Sequence, residues 1–255
     1  MINVNLELTD HCNLRCGMCS QSLRDEAHGA PHRFMAWETW VALLEGLAGM
    51  EEPVHLCPHW LGEPTLHPRF EEFVEYAFAV NTGGRLFAEF KLHTNAVIFD
   101  RARSLRLLRL ANAPHVPQGC FRSIHFSVDA FSAQSYLAVK GADKRARVYR
   151  NVEAFLRQRA ELGLRYPKAH IAFVVQEGNA HEAREYLAHW GGLLEQLGAD
   201  YDVGWDWPNP ERDAIYFRPL NSGDQDAADR LHARVCRELG LVDGDSERLR
   251  AAGSF

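Results

Sequence analysis

The feature that most limits what this chain can become is an alternation. Short apolar runs of period two give way repeatedly to longer runs whose apolar residues recur every three or four positions. Val4 to Leu8 alternates and reads as a strand, and Trp37, Trp40, Val41, Leu44 and Leu47 then follow helical spacing. After the Glu51-Glu52-Pro53 break a second strand, Val54 to Leu61, leads to a helix with Phe70, Phe73, Val74 and Ala77 on one face. A third strand, Leu86 to His93, precedes an Arg/Leu-rich helix from about Arg101 to Leu110. A fourth, Ser123 to Val128, precedes helical material containing Val148, Val152, Phe155 and Leu156. The fifth, His170 to Val175, is followed by a helix lined by Ala183, Tyr186, Leu187, Trp190 and Leu194. Two candidates compete for a sixth strand, Tyr201 to Trp205 and Ala214 to Phe217. A last helix with Ala228, Leu231, Val235 and Leu239 in register precedes a polar tail, Asp243 to Phe255. Strand-helix units repeated about six times imply an α/β fold, a parallel sheet joined by right-handed crossovers. In such sheets the chemistry gathers at the carboxyl ends of the strands.

The 255 residues suit one domain, with residues 1–220 as the core and 221–255 as a terminal helix and tail. A formal charge of -6 makes a nucleic-acid partner an unfavourable reading, because the phosphate backbone is met by basic surfaces. The N-terminal residues lack the basic and apolar regions of a signal peptide, and no apolar run approaches the length of a membrane span. The expectation is therefore a cytoplasmic protein with no membrane partner.

Three of six cysteines, Cys12, Cys16 and Cys19, fall within eight residues, directly behind the first strand. In a reducing compartment that spacing points to a metal site and not to disulfides. Zinc with His11 as a fourth ligand is one occupant, although adjacent His11 and Cys12 would turn with difficulty toward one tetrahedral ion. An iron-sulfur cube held by three thiolates is the other, and it leaves one iron open to a ligand.

The stretch Cys12-Asn13-Leu14-Arg15-Cys16-Gly17-Met18-Cys19 resembles the C-x3-C-x-φ-C signature of the radical S-adenosylmethionine (radical SAM) superfamily, with Met18 at the apolar φ position. The resemblance implies a partial (βα)6 TIM-like barrel and a [4Fe-4S] cluster on those cysteines. It also implies S-adenosyl-L-methionine (AdoMet) bound at the open iron. In that family reductive cleavage of AdoMet yields methionine and a 5'-deoxyadenosyl radical, which takes hydrogen from an organic substrate. An electron donor such as flavodoxin or ferredoxin is implied as a partner. The auxiliary-cluster extension of the SPASM or twitch type has no counterpart in the cysteines of this chain.

The other strand ends fit the same resemblance. Trp60-Leu61-Gly62-Glu63-Pro64 is similar to the family's Gly-Gly-Glu-Pro, with Leu61 in place of the first glycine. Gly62 and Glu63 would take the ammonium of AdoMet. Thr94 and Asn95 after the third strand, and Ser127 and Asp129 after the fourth, resemble its contacts to ribose and carboxylate. Asn179 and Glu182 after the fifth resemble an Asn-x-x-Glu that holds the methionine and ribose end. Each has a structural alternative: Gly62-Glu63-Pro64 as a turn, Asp129 or Ser132 as a helix cap, Asn179 with Glu182 as a capping box. Cys57, Cys120 and Cys236 read as buried apolar side chains. His59 and Trp60, and the Trp205–Arg218 region with Trp207 and Tyr216, are candidate substrate contacts, and Gln21 to Phe34 is a candidate cover. The substrate would be a peptide or small metabolite. A glycyl-radical activase and a zinc-stabilised binding protein are the alternative functions.

Overall fold

A computed structural model describes residues 2–22 and 33–242. The described chain forms a seven-stranded, wholly parallel sheet in the order β1-β2-β3-β4-β5-β7-β6. The strands are β1 (Ile2–Asn5), β2 (Val54–Cys57), β3 (Glu89–Thr94), β4 (Phe121–Ser127), β5 (Lys168–Val175), β6 (Tyr201–Gly204) and β7 (Asp213–Pro219). The helices are α1 (Trp37–Leu47), α2 (Phe70–Val80), α3 (Arg101–Ala111), α4 (Ala133–Lys140), α5 (Arg145–Glu161), α6 (Ala183–Gln196) and α7 (Gln225–Glu238). Both candidates for the sixth strand form. β7 takes the place beside β5, and β6 lies outside it at the sheet edge. The architecture is the expected parallel α/β sheet of a partial TIM-like barrel.

Two strands end earlier than their alternation suggests. β2 stops at Cys57 because Pro58 has no N–H to give the ladder, and the chain then turns through residues 58–63. With its partner gone, the chain after β1 keeps Leu6 N–H to Cys57 C=O (2.9 Å) and then turns to residue 35, whose N–H donates to Leu8 C=O (2.8 Å). Helix α4 is the element whose period is least visible. Its eight residues are anchored by their ends, with Ser132 Oγ accepting the Ser135 N–H and Gly141 closing the helix at φ 71°.

The core lies between the outer sheet face and the helices. Phe78, Phe90 and Phe121 pack with ring centres about 5 Å apart, and Phe173, Tyr186 and Phe217 form a second aromatic group. Each such ring, removed from water, contributes roughly 1.5–3 kcal/mol. The residues pointing the other way, onto the concave face, are polar: Lys91, His93, His125 and His170. An apolar outer face and a polar inner one leave the barrel interior for ligands. Among the described residues no helix is long and apolar enough to cross a membrane. The tail from residue 243 and most of the candidate cover, residues 23–32, lie outside the described residues.

Candidate functional site

The three cysteines sit on the loop that leaves β1, held from three sides. Leu14, only 3% exposed, anchors the loop in the core between Cys12 and Cys16. The C-terminal turn of α4 grips it by backbone, with Arg15 N–H donating to Lys140 C=O (3.2 Å) and Gly17 N–H to Val139 C=O (3.3 Å). The loop after β2 holds it from the opposite side, as Glu63 N–H donates to His11 C=O (2.8 Å). Approach is so close at Gly62 that a Cβ there would lie 1.9 Å from Thr9 O, and one on Gly141 would lie 2.3 Å from Arg15 O. Only glycine satisfies both contacts.

Cys12, Cys16 and Cys19 are free and partly exposed. Burial pushes the Cys12 thiol up to about 11 and raises that of Cys16, the latter opposed by the Lys140 ammonium. Such thiols stay protonated until a metal displaces the proton. Asn95 Nδ2 points at Cys12 Sγ (3.7 Å) and donates to Asn13 Oδ1 (2.8 Å), an outer-shell donor of the kind that orients thiolate ligands. Tyr136 Oη is buried without a hydrogen-bond partner among the described residues, and Lys140, Cys16 and Asp129 act on it electrostatically. Three soft donors, an amide aimed at one of them and an orphaned hydroxyl beside them fit an iron-sulfur group. Among the described residues no three His, Cys, Asp or Glu side chains, the three cysteines included, stand close enough together to hold a single metal ion.

The strand-end residues fall into two groups. Glu63 is the hub of the first. Its Oε1 accepts from Thr65 N (3.2 Å), Thr65 Oγ1 (2.5 Å) and Thr94 Oγ1 (2.8 Å), and its Oε2 from Asn95 N (2.7 Å). Burial raises its pKa against the pull of these donors. Glu63, Thr94 and Asn95 thereby fasten the β2 loop and the end of β3 to each other and to Asn13. Glu7, which sequence reasoning did not single out, accepts both Leu61 N–H (2.7 Å) and Gly62 N–H (2.8 Å) and fixes that loop from β1.

The second group surrounds α4. Asp129, at φ 61°, pairs with the buried Lys140 and accepts Val174 N–H (2.8 Å). Asn179 is fully buried and spends its amide on Asp129 C=O (2.6 Å), Val174 C=O (2.9 Å) and Gln176 N–H (2.9 Å). Glu182 does not close a capping box with Asn179. Its Oε2 reaches the N-terminus of α4 and accepts Phe131 N–H and Ser132 N–H (both 3.0 Å), and these bonds hold its pKa down despite burial. Ser127 is half-buried at the end of β4, and its hydroxyl makes no hydrogen bond to protein among the described residues. Met18 Sδ accepts the Gln176 amide (2.7 Å), tying the cysteine loop to the end of β5.

Elsewhere, Cys120 and Cys236 are buried, whereas Cys57 lines a cavity on the concave face with His59 and Trp60. His67 stands apart, bonded to Met35 C=O (3.0 Å) and Arg69 N–H (3.1 Å). Arg212 is engaged by Asp200 and Asp202.

A family model described as the radical SAM superfamily matches residues 6–186. Among curated proteins, the chain is similar to the tungsten-containing aldehyde ferredoxin oxidoreductase cofactor-modifying protein of Pyrococcus furiosus. It is 23% identical over 201 residues, covering 76% of this chain and 48% of that protein. Among solved structures it resembles anSMEcpe with bound AdoMet and Cp18Cys peptide, at a TM-score of 0.62 and 14% identity, covering 94% of this chain and 58% of the other. It also resembles HydG, a maturase of the [FeFe]-hydrogenase, at a TM-score of 0.57 and 12% identity, covering 98% and 53%. The chain thus spans about half the length of these relatives. The family match runs from just past β1 into α6 and takes in the cysteine loop and both groups of strand-end residues, and the chain belongs to the radical SAM superfamily, enzymes that combine a [4Fe-4S] cluster with AdoMet.

Proposed function

We propose that Cys12, Cys16 and Cys19 hold a [4Fe-4S] cluster and that the chain cleaves AdoMet there to start hydrogen abstraction from a peptide or small-metabolite substrate. The observation that carries this is the clamped cysteine loop: one soft-donor loop pinned between Gly62 on β2's exit and Gly141 at the end of α4, at the carboxyl edge of the sheet. When bound, the cluster and AdoMet supply an electron and a carbon-centred oxidant. The protein supplies everything else.

Three backbone clamps and the Asn95 amide hold the thiolates in place, and Met18 covers them against Gln176. Gly62 and Glu63 offer backbone and a fixed carboxylate where an ammonium would be read, while the free hydroxyl of Ser127 faces a ribose or carboxylate. Thr94 and Asn95 contribute polar groups beside Glu63. Asp129, Asn179 and Glu182, engaged by protein groups, hold α4 and the ends of β4 and β5 behind the cofactor. A flavodoxin- or ferredoxin-like protein delivers the electron. The peptide in one related structure and the cofactor-modifying role of the Pyrococcus furiosus protein support both substrate classes.

Metal analysis of anaerobically purified protein tests the assignment. About four irons and four acid-labile sulfides per chain, lost together in Cys16→Ala, support it. Stoichiometric zinc would overturn it.

A further inference from the structure

The concave face carries a row of imidazoles. His93, His125 and His170 stand in lateral register on β3, β4 and β5. The His59 and His93 rings lie parallel, 5.3 Å apart with 8° between planes, and His93 and His125 lie 4.2 Å apart with 4° between planes. Together with Lys91, Arg218 and Trp207 they line a cavity of about 710 Å³.

The proton positions in part of this row follow from its last member. Arg212 C=O can only accept, so His170 Nε2 (3.1 Å) carries a proton. The remaining nitrogen of a neutral His170, Nδ1, then accepts from His125 Nε2 (3.0 Å), and His125 Nδ1 accepts from Tyr216 Oη (3.1 Å). Both rings are thereby saturated. The ring nitrogens of His59 and His93 have no protein partner among the described residues, and both rings line the cavity.

The charge of the cavity is one-sided. Burial keeps the imidazoles neutral, lowering His59 and His170 to about 4 and His93 to about 3. Among the described residues no carboxylate belongs to the lining. Lys91 approaches Glu89 (3.3 Å), but that carboxylate also faces His55 (3.4 Å) and Arg122 (3.0 Å). Arg218 lies over Trp207, its Cζ 4.1 Å from the ring centre, with no carboxylate at ion-pair distance among the described residues. A half-buried guanidinium beside an indole ring, with no carboxylate partner among the described residues, is poised for an incoming anion.

We infer that this cavity is the substrate pocket and that it takes an organic anion. Arg218 and Lys91 hold its carboxylate or phosphate, His59 and His93 supply hydrogen bonds, and Trp60 and Trp207 provide flat apolar walls. The assignment rests on the function proposed above, because the cavity adjoins the cofactor end. The loop carrying His59 and Trp60 continues into Gly62 and Glu63, and His93 lies on the last residues of β3, directly before Thr94 and Asn95.

Calorimetric titration tests it. Cluster-loaded, anaerobic protein in the presence of AdoMet is titrated with benzoate, with phenyl phosphate and with neutral benzyl alcohol. At least one anion should bind roughly tenfold or more tightly than the alcohol, the scale of a hydrogen bond to a charged group. Tighter binding of phenyl phosphate identifies a phosphate ligand, and tighter binding of benzoate a carboxylate. Arg218→Gln should reduce the advantage below about threefold, Arg218→Lys should retain part of it, and Arg150→Gln on the far surface should leave it unchanged. Equal affinity for all three probes overturns the inference, as does an anion preference that survives Arg218→Gln combined with Lys91→Met. Because the readout is heat of binding, failure of AdoMet cleavage would count against the proposed function alone. Cleavage without anion preference would count against this pocket assignment alone.

Discussion

Lys140→Met isolates the device that ties the fold to the cysteine loop. Lys140 and Asp129 are 2% and 1% exposed and face each other as a buried ion pair. Burial alone would lower the lysine's pKa, but Asp129 holds the ammonium charged. Methionine preserves the stem and removes the charge, leaving Asp129 buried with Val174 N–H as its remaining donor. Stranding one member of such a pair costs about 3–5 kcal/mol. For a chain near this size that corresponds to a fall in Tm of about 6–20 °C, at about 2–4 °C per kcal/mol. Because Lys140 C=O and Val139 C=O receive the backbone of Arg15 and Gly17, iron content should fall as well. The assay is thermal unfolding by circular dichroism under anaerobic conditions, with iron and sulfide measured on the same sample. Adding Asp129→Asn should recover part of the loss, since the stranded charge is gone. A Tm within about 1 °C of the parent for Lys140→Met, or a double variant worse than the sum of the singles, would refute the reasoning.

Gly62→Ala drives a methyl into the Thr9 backbone, which has no flexible side chain to yield, and should cost about 1–3 kcal/mol of overpacking together with at least tenfold in AdoMet affinity by equilibrium dialysis. Arg159→Ala removes the two-pronged partner of buried Asp213 and should cost about 3–5 kcal/mol in denaturant unfolding. Unlike Lys140→Met, it should leave the iron content of the folded fraction unchanged. The imidazole row sets an acid limit. His59, His93 and His170 titrate well below the unfolded value of about 6.5, so the unfolded state binds more protons between that value and about 4. Their stabilising contribution is complete above pH 6.5 and is lost on acidification at about 1.4 kcal/mol per pH unit per histidine. His93→Asn should flatten the stability-pH curve in that window, and an unchanged slope would contradict neutral burial.

The legible parts of this molecule are those set by periodicity and by residue chemistry. Five strands followed by helices were visible because Leu56, Phe90, Ile124 and Ile171 alternate with inward polar residues, and the cysteine loop because its spacing has few other uses. Less legible were contacts that depend on where two distant loops meet. Glu7 looked like an ordinary outward residue of a strand, yet it accepts two N–H groups from residues 61 and 62. Asn179 and Glu182 have the spacing of a capping box, but tertiary demand sends Glu182 to the N-terminus of α4 and turns Asn179 onto carbonyls. Lys140 gave no signal, since a lysine ending a helix is ordinarily solvated. The two strand candidates at 201–205 and 214–217 were rivals only because a single sixth strand was assumed; β6 is so short that residues 205–212 can carry the chain back to its start, and both pair in parallel. Positions 93, 125 and 170 were each read as strand residues, and only the sheet register shows that they stand side by side.

The most direct test of the central claim is product analysis. Anaerobically reduced protein with its cluster, mixed with AdoMet, should release 5'-deoxyadenosine and methionine in equal amounts, detected chromatographically, and Cys16→Ala should release neither. Intact AdoMet after reduction of a protein carrying four irons per chain, or undiminished release from Cys16→Ala, would contradict the account.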